Sequence, residues 1–357
     1  MVVLSLFDGI GCGRLALERA GIPVDAYYAS EVSASAITIA KKNFPDIIEI
    51  GNVMRVHYNA ETGVLYTDSG ALEVGKIDML LGGSPCTDFS SIGYTRGMTT
   101  GEESVTDLEQ YLALKNSGVT FKGESFLFWE YVRLLCEIHP RYFLLENVVM
   151  AEEWQSIINR AVGCAPVKLN SSLFSAQNRP RFYWTNIAGV EVPEDRGIKL
   201  DDILDENAST EDVSEVASIK ACFADLYAHL GCIPERFNAY NLSRITDKAC
   251  ALTRGSMVTS SCATLLFVPV EDGVCEVRNG LLFGKYETPL ADGRYNLRRL
   301  SLLEMERLQT LPDGYTEALA VTRQRRGEAI GNCWTVDVIV YILSRLFSDN
   351  YSETEEW

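Results

Sequence analysis

Four groups of residues in this 357-residue chain have types and spacings that could do chemistry together. Cys86 stands directly behind a proline in "MLLGGSPC" (residues 79–86), where an apolar run ends in two glycines. A thiolate is a nucleophile and a metal ligand, and the proline stiffens a backbone that the glycines leave open. The alternative is a small buried hydrophobe. Glu146 ends the apolar run "RYFLLEN", where a carboxylate is costly unless solvated, paired or working; it could also be a rim carboxylate on a helix N-terminus. Arg179 and Arg181 flank Pro180 in "QNRPRFYW". On a strand, alternate residues face the same way, so the two guanidiniums are expected to share a target, a base or phosphate bound by planar hydrogen bonds, or to form a solvated edge. Finally, "LFDGIGCG" carries glycines 9, 11 and 13 after a strand-like run, and Glu31 follows about 20 residues on. That is the layout of a nucleotide-binding first turn with an acid for ribose hydroxyls, or simply of a tight turn. Asp8 would repel a pyrophosphate, so an adenosine cofactor without phosphates fits better, and S-adenosylmethionine is such a molecule.

These groups must be positioned by the elements around them. Strand-like runs "VVLSLF", "AYYAS", "IIEI", "KIDMLLGG" and "RYFLLENV" alternate with helical stretches near residues 13–20, 33–43, 125–139 and 152–162, and further strands are expected at 167–174 and 181–187. This rhythm predicts an α/β fold with a doubly wound, mostly parallel sheet. It stops between residues 89 and 123, directly after Cys86, and a break of that length inside a compact domain is usually a functional loop. After residue 187 an acidic stretch leads into short β-prone pieces broken by Gly and Pro, and helices return from residue 300. The sequence therefore predicts a first domain of residues 1–187 plus 298–357, interrupted by a smaller inserted domain at 188–297.

Composition narrows the classes. At 47% hydrophobic the chain can bury a real core. Ten cysteines without a Cys-x-x-Cys pair read as reduced thiols, and three scattered histidines suggest neither zinc nor a Cys-His pair, so no metal is expected. No apolar run approaches the roughly 20 residues that span a bilayer, and no signal peptide is visible, so no membrane partner is expected. The net charge of −17 argues at first against nucleic acid, but ten acids gather in 191–215 while Arg294, Arg298, Arg299, Arg307, Arg323, Arg325 and Arg326 gather in the last quarter. A local basic face matters more than the sum.

A thiol, an acid, an arginine pair and a sulfonium cofactor at the ends of successive strands suit one reaction. A thiolate can add to the electron-poor 6-position of cytosine while an acid hydrogen-bonds the ring nitrogen at position 3. The 5-position then attacks the methyl of the sulfonium, a base removes the 5-proton, and elimination returns the thiol. The assignment would be Cys86 as nucleophile, Glu146 as acid, and Arg181, supported by Arg179, on the carbonyl of the base.

The ordered stretches "FDGIGCG", "SEV", "GGSPCTDFS", "ENV", "QNRPRFYW", "RRLSLLEMERLQTLPDGY" and "GNCWTVDVI" resemble the cytosine-5 DNA methyltransferase family. Their wording is closest to its animal de novo branch, and a bacterial or phage member would fit as well. The resemblance implies the S-adenosylmethionine-dependent methyltransferase fold, an inserted target-recognition domain and double-stranded DNA as partner. It assigns the cofactor to Phe7, Asp8, Gly9, Ile10, Gly11, Glu31, Val32, Asn52, Val53, Pro85, Leu127, Asn332, Cys333 and Trp334. It assigns DNA to Ser90, Ile92, Arg254, Arg298 and Gln309. The loop after Cys86 would close over a flipped cytosine, and the setting would be the cytoplasm of a bacterial or phage-infected cell, or the nucleus if eukaryotic.

Three departures stand out. The family's Gly-Asp for the adenine amino group is "GNV" here, so Asn52 would serve through its carbonyl oxygen; the loop is longer than in close relatives; and in the recognition module only "LTRGS" around Arg254 resembles the de novo branch. Alternatives are a transfer-RNA cytosine-5 methyltransferase and a non-catalytic DNA-binding relative. A nicotinamide oxidoreductase would leave the Pro-Cys, Glu-Asn-Val and Arg-x-Arg motifs without a role.

Overall fold

Runs of β-branched and aliphatic residues that are buried on both faces build the central sheet. In a computed structural model, residues 1–85, 104–121, 123–208, 233–234, 236–239, 243–256, 264–269, 275–278, 281–284 and 295–347 are described. The sheet strands are β1 (Val2–Leu6), β2 (Ala26–Ser30), β3 (Ile48–Glu49), β4 (Met79–Gly82), β5 (Tyr142–Val148), β6 (Val167–Asn170) and β7 (Pro180–Thr185). Their order across the sheet is β3-β2-β1-β4-β5-β7-β6. The first five run parallel, and β7 lies antiparallel between β5 and β6. The order reverses between β1 and β4, which is where an open α/β sheet leaves a crevice at its carboxyl ends.

Helices α1 (Cys12–Arg19), α2 (Ala34–Asn43), α3 (Leu108–Asn116), α4 (Phe128–Ile138) and α5 (Glu152–Val162) intervene. Local signals set their ends. Ser33 caps α2 by accepting from the Ala36 amide, and Gly163 closes α5 in the left-handed conformation (φ 79°). One core cluster of aliphatic and aromatic side chains joins Leu4, Leu6, Leu80 and Leu145 of the sheet to Phe128, Trp129, Tyr131 and Val132 of α4.

The break expected between residues 89 and 123 contains α3, capped by Asp107 through the Gln110 amide, so this stretch is not wholly irregular. A three-stranded antiparallel sheet over His57–Asn59, Val64–Thr67 and Gly70–Glu73 also went unread. Its strands are only three or four residues long, too short for a periodicity to register.

The chain divides into two compact units, one of Met1–Asn170, Pro180–Glu194 and Val336–Trp357, the other of Ser171–Arg179 and Asp195–Thr335. The second unit thus takes in residues 298–335, which the motif order assigns to the first domain. The reason is packing: Leu300, Leu302, Met305, Leu308 and Ile330 form one cluster with Leu200, Ile203, Ile245, Ala249, Leu252 and Leu266. Two helices of this unit, α6 (Leu302–Leu308) and α7 (Arg323–Asn332), supply part of that cluster, and α6 starts in a Ser301/Glu304 capping box. Helix α8 (Val336–Ser344) belongs to the first unit and packs on α1, where Arg19 meets Asp337 at 3.0 Å.

Arg323–Phe347 is long and apolar enough by length and composition alone to pass for a span, but half of its apolar window is buried inside the protein, as in the core helix of a globular fold. It is also broken between Asn332 and Val336.

Candidate active site

The turn after β1 holds three left-handed residues, Phe7 (φ 57°), Gly9 (φ 64°) and Gly11 (φ 80°), the last serving as N-cap of α1. Glycine accepts this conformation freely, whereas for phenylalanine it is strained, a cost that concentrates at functional turns. A Cβ at Gly9 would meet nothing within 4 Å, so the turn opens on free space. Glu31, just beyond β2, reaches back to it: one carboxylate oxygen accepts from the Gly9 amide (2.9 Å), the other from the Val32 and Ser33 amides (2.7 Å each). Beside it Val32 is 72% exposed, an apolar surface at the crevice. Beyond β3, Asn52 spends a lone pair of its carbonyl oxygen on the Met54 amide (3.0 Å), capping the one-turn helix Val53–Arg55. The acceptor expected for an adenine amino group is therefore also the cap that shapes its own turn. Val53 is buried, Ile10 is buried under the turn, and Leu127 ends a short 3-10 turn that leads into α4.

Asp8 faces away from this opening. Its carboxylate is buried, with one oxygen on the Tyr27 hydroxyl (2.6 Å) and the other without a hydrogen-bond partner among the described residues. Burial, with the charge of Glu31 adding, pushes its pKa up to about 6 against the lowering effects of the Ser5 and Tyr27 hydroxyls. Glu49 on β3 is pushed up to about 7, first by burial, then by the charges of Asp8 and Glu31. A carboxylate trio of this kind disfavours a polyphosphate. An open glycine turn, an exposed valine and a carboxylate for hydroxyls fit an adenosine carrying a cationic sulfonium, so the residues present fit S-adenosylmethionine.

At the end of β4 the backbone is drawn close to α4. A Cβ on Gly82 would lie 2.7 Å from the Tyr131 ring, so only glycine fits. Two residues on, buried Ser84 accepts from the Asn147 side-chain amide through both its carbonyl oxygen (3.3 Å) and its hydroxyl (3.1 Å). Asn147 was not singled out from the sequence, although a buried asparagine between Glu146 and Val148 in an apolar strand was a usable signal. It ties the end of β5 to the segment Ser84-Pro85 that immediately precedes Cys86. Cys86, Ser90 and Ile92 themselves lie outside the described residues.

Glu146 and Arg181 come together, with Arg181 Nε 3.1 Å from a Glu146 oxygen and both side chains mostly buried. The antiparallel register sets this up: Tyr183 pairs with Glu146, which brings Arg181 to the level of Val148 at the carboxyl end of β5. Arg179 does not share this target. It precedes β7, is buried, and donates to the backbone carbonyls of Leu252, Gly331 and Cys333 in the second unit. The strand alternation that predicted a common face fails because Pro180 is the first strand residue.

Within the second unit, two residues expected on DNA are internal. Arg298 is buried and makes a bidentate pair with Glu304, 2.7 Å to each oxygen. Gln309 is buried, donating to the Ile330 and Cys333 carbonyls and accepting from Gln177 and Thr335. Their positions in the chain gave no sign of burial, because charged and amide residues are mostly exposed. Arg254 is exposed. The peptide that precedes it is pinned: Gln177 accepts from the Leu252 amide at 2.7 Å while Arg179 holds the Leu252 carbonyl. In the "NCW" turn Asn332 is exposed, Trp334 is half-buried, and Cys333 is buried with its thiol donating to the Ile330 carbonyl (3.2 Å). Among the described residues no group of three His, Cys, Asp or Glu side chains could hold a metal ion.

Comparison with known proteins places this geometry. An orphan methyltransferase of Bacillus phage rho11s, M.Rho11sI, is 29% identical over 198 residues, covering 51% of this chain and 32% of the relative. A type II methyltransferase of Haemophilus influenzae, M.HindV, is 29% identical over 193 residues and 51% of each chain. The match thus spans about a third of the phage protein and half of the Haemophilus one. In fold, the chain is similar to the crystal structure of a Spodoptera frugiperda DNMT2 mutant (TM-score 0.63, 17% identity, 97% of this chain and 99% of that one) and to the Entamoeba histolytica methyltransferase EhMeth (TM-score 0.63, 14% identity, 98% of each). Residues 1–160 and 169–348 match the family description itself, and the chain belongs to the C-5 cytosine-specific DNA methylases.

Proposed function

We propose that the protein methylates the 5-position of a flipped-out cytosine in duplex DNA, using S-adenosylmethionine and a covalent bond to Cys86. The observation that carries this reading is the Glu146–Arg181 pair at the carboxyl end of β5, beside the Asn147-anchored segment that leads into Cys86. The cofactor supplies an electrophilic methyl group when bound. Phe7, Gly9, Gly11, Glu31, Val32, Asn52 and Val53 would hold it, Glu31 taking hydroxyls and Val32 the adenine face. Glu146 protonates or hydrogen-bonds the ring nitrogen while the Cys86 sulfur adds to carbon 6, and Arg181 both orients Glu146 and is placed to donate to the carbonyl of the base. Loss of the 5-proton to a base then lets the carbon–sulfur bond break, which returns the thiol. Arg254, which is exposed, would read a base edge.

The test uses duplex DNA carrying 5-fluorocytosine, whose fluorine blocks loss of the 5-substituent after methyl transfer. A denaturant-resistant protein–DNA complex that requires S-adenosylmethionine and vanishes in Cys86→Ser is expected. Methylation of ordinary DNA without such a complex would refute the covalent role. Methylation of transfer RNA but not of duplex DNA would refute the substrate.

A further inference from the structure

Behind the turn at residues 52–56 lies a buried ionic hub. Glu130 on α4 is wholly inaccessible to solvent, yet it stays ionised: burial works to raise its pKa, but the charge of Arg133 and hydrogen bonds from Lys115, Tyr111 and Arg133 outweigh that and hold it below the usual value. Its oxygens accept from the Tyr111 hydroxyl and Lys115 Nζ, both on α3, and from Arg133 Nε (2.9 Å) and Nη2 (2.6 Å) on its own helix. A buried carboxylate with its lone pairs so fully used is seldom the most stable filling of a core, and its better-attested use is to select one arrangement.

The arrangement selected here concerns the cofactor turn. Both cations oriented by Glu130 have a second hand on that turn: Lys115 Nζ donates to the Met54 carbonyl (3.3 Å), and Arg133 Nη2 donates to the carbonyls of Val53 (3.4 Å) and Val56 (2.7 Å). Among the described residues, the turn's hold on itself is the Asn52 cap and the Arg55 and Val56 amides bonded back within it. Two of its carbonyls, Met54 and Val56, therefore rest on side chains that Glu130 holds, with Glu137 also holding Arg133, while the Val53 carbonyl is shared between Arg133 and the Val56 amide. One of those side chains belongs to α3, a helix that the sequence rhythm did not foresee.

We propose that Glu130 is a positioning residue for the cofactor: through Lys115 and Arg133 it fastens the turn bearing Asn52 and Val53 to α3 and α4, so that binding at the turn and the seating of α3 are one coupled event. This rests on the reading that S-adenosylmethionine sits on that turn. Coupling of this kind is reciprocal, so loosening α3 weakens the cofactor and adding the cofactor steadies α3.

The experiment measures S-adenosylhomocysteine binding by calorimetry and amide exchange with and without it. Lys115→Met keeps the apolar stem and removes the ammonium, and it is the main variant because Glu130→Gln alone risks misfolding. A single charged hydrogen bond to the turn is at stake, so the dissociation constant should rise about ten- to a hundredfold, and Lys115→Arg should restore it. In the wild type the ligand should slow exchange at 53–56 and at 108–116 together; in Lys115→Met it should slow only the first. A helix that merely packs would gain no ligand-dependent protection. Wild-type affinity in a folded Lys115→Met, or ligand protection confined to 53–56 in the wild type, overturns the coupling while leaving the cofactor site standing. Absence of protection at 52–56 overturns the cofactor placement and the coupling with it.

Discussion

Replacing Gly331 by alanine tests how the exposed Arg254 is held. Gly331 lies in the last turn of α7, and a Cβ built there would sit 2.1 Å from the Thr253 carbonyl oxygen and 2.8 Å from the Arg254 amide nitrogen. An ordinary contact needs about 3.4 Å, so the 253–254 peptide must retreat by roughly 1 Å. It is not free to do so, because Gln177 and Arg179 grip both ends of the adjoining Leu252 peptide. If the segment stays, overpacking costs up to about 3 kcal/mol; if it moves, a charged hydrogen bond worth about 1.5–3 kcal/mol is lost. Alanine returns about 1 kcal/mol as the better helix former. The net loss is about 1–2 kcal/mol, which for a unit of this size lowers the melting temperature by roughly 2–8 °C. Scanning calorimetry reads the first effect. Mapping methylated cytosines in mixed-sequence DNA reads the second, a relaxed preference at one flanking base, expected if Arg254 reads that base and is displaced with its backbone. A variant that melts with the wild type and keeps its methylation pattern would refute the close packing of this segment on α7.

Asp8 has its folded pKa raised from 3.8 to about 6, so the folded state holds that proton more tightly than the unfolded chain; its stabilisation is full below about pH 4 and lost as pH rises through 6. From pH 5 to 8 this amounts to about 1.4 kcal/mol, and urea titrations should show Asp8→Asn losing correspondingly less stability over that interval. Arg298→Ala strands a buried Glu304 carboxylate and should destabilise by about 3–5 kcal/mol, seen in thermal unfolding; a stable variant with weakened DNA binding would instead restore Arg298 to the DNA surface. Glu146→Gln should slow methyl transfer by about 10²–10⁴-fold in single-turnover assays, and a rate near wild type would remove Glu146 as the acid.

The periodicity of short apolar runs and amphipathic stretches was enough for the central sheet, because strands buried on both faces must be apolar and the helices covering them must be apolar on one side. The strand-end positions of Glu31, Glu146 and Arg181 were legible for a related reason: a charge at the end of an apolar strand is conspicuous. The sequence could not say which polar residues turn inward. Arg179, Arg298 and Gln309 look alike on paper to residues that reach a ligand, and only the fold shows that their partners are backbone carbonyls and Glu304, brought from as far as 154 positions away in the chain. Asn147 and Glu130 carry the same lesson in reverse. Hydrogen bonding between distant segments depends on where the chain returns, and that return is decided by packing of the whole core, so burial of a polar group is a property of the tertiary structure alone.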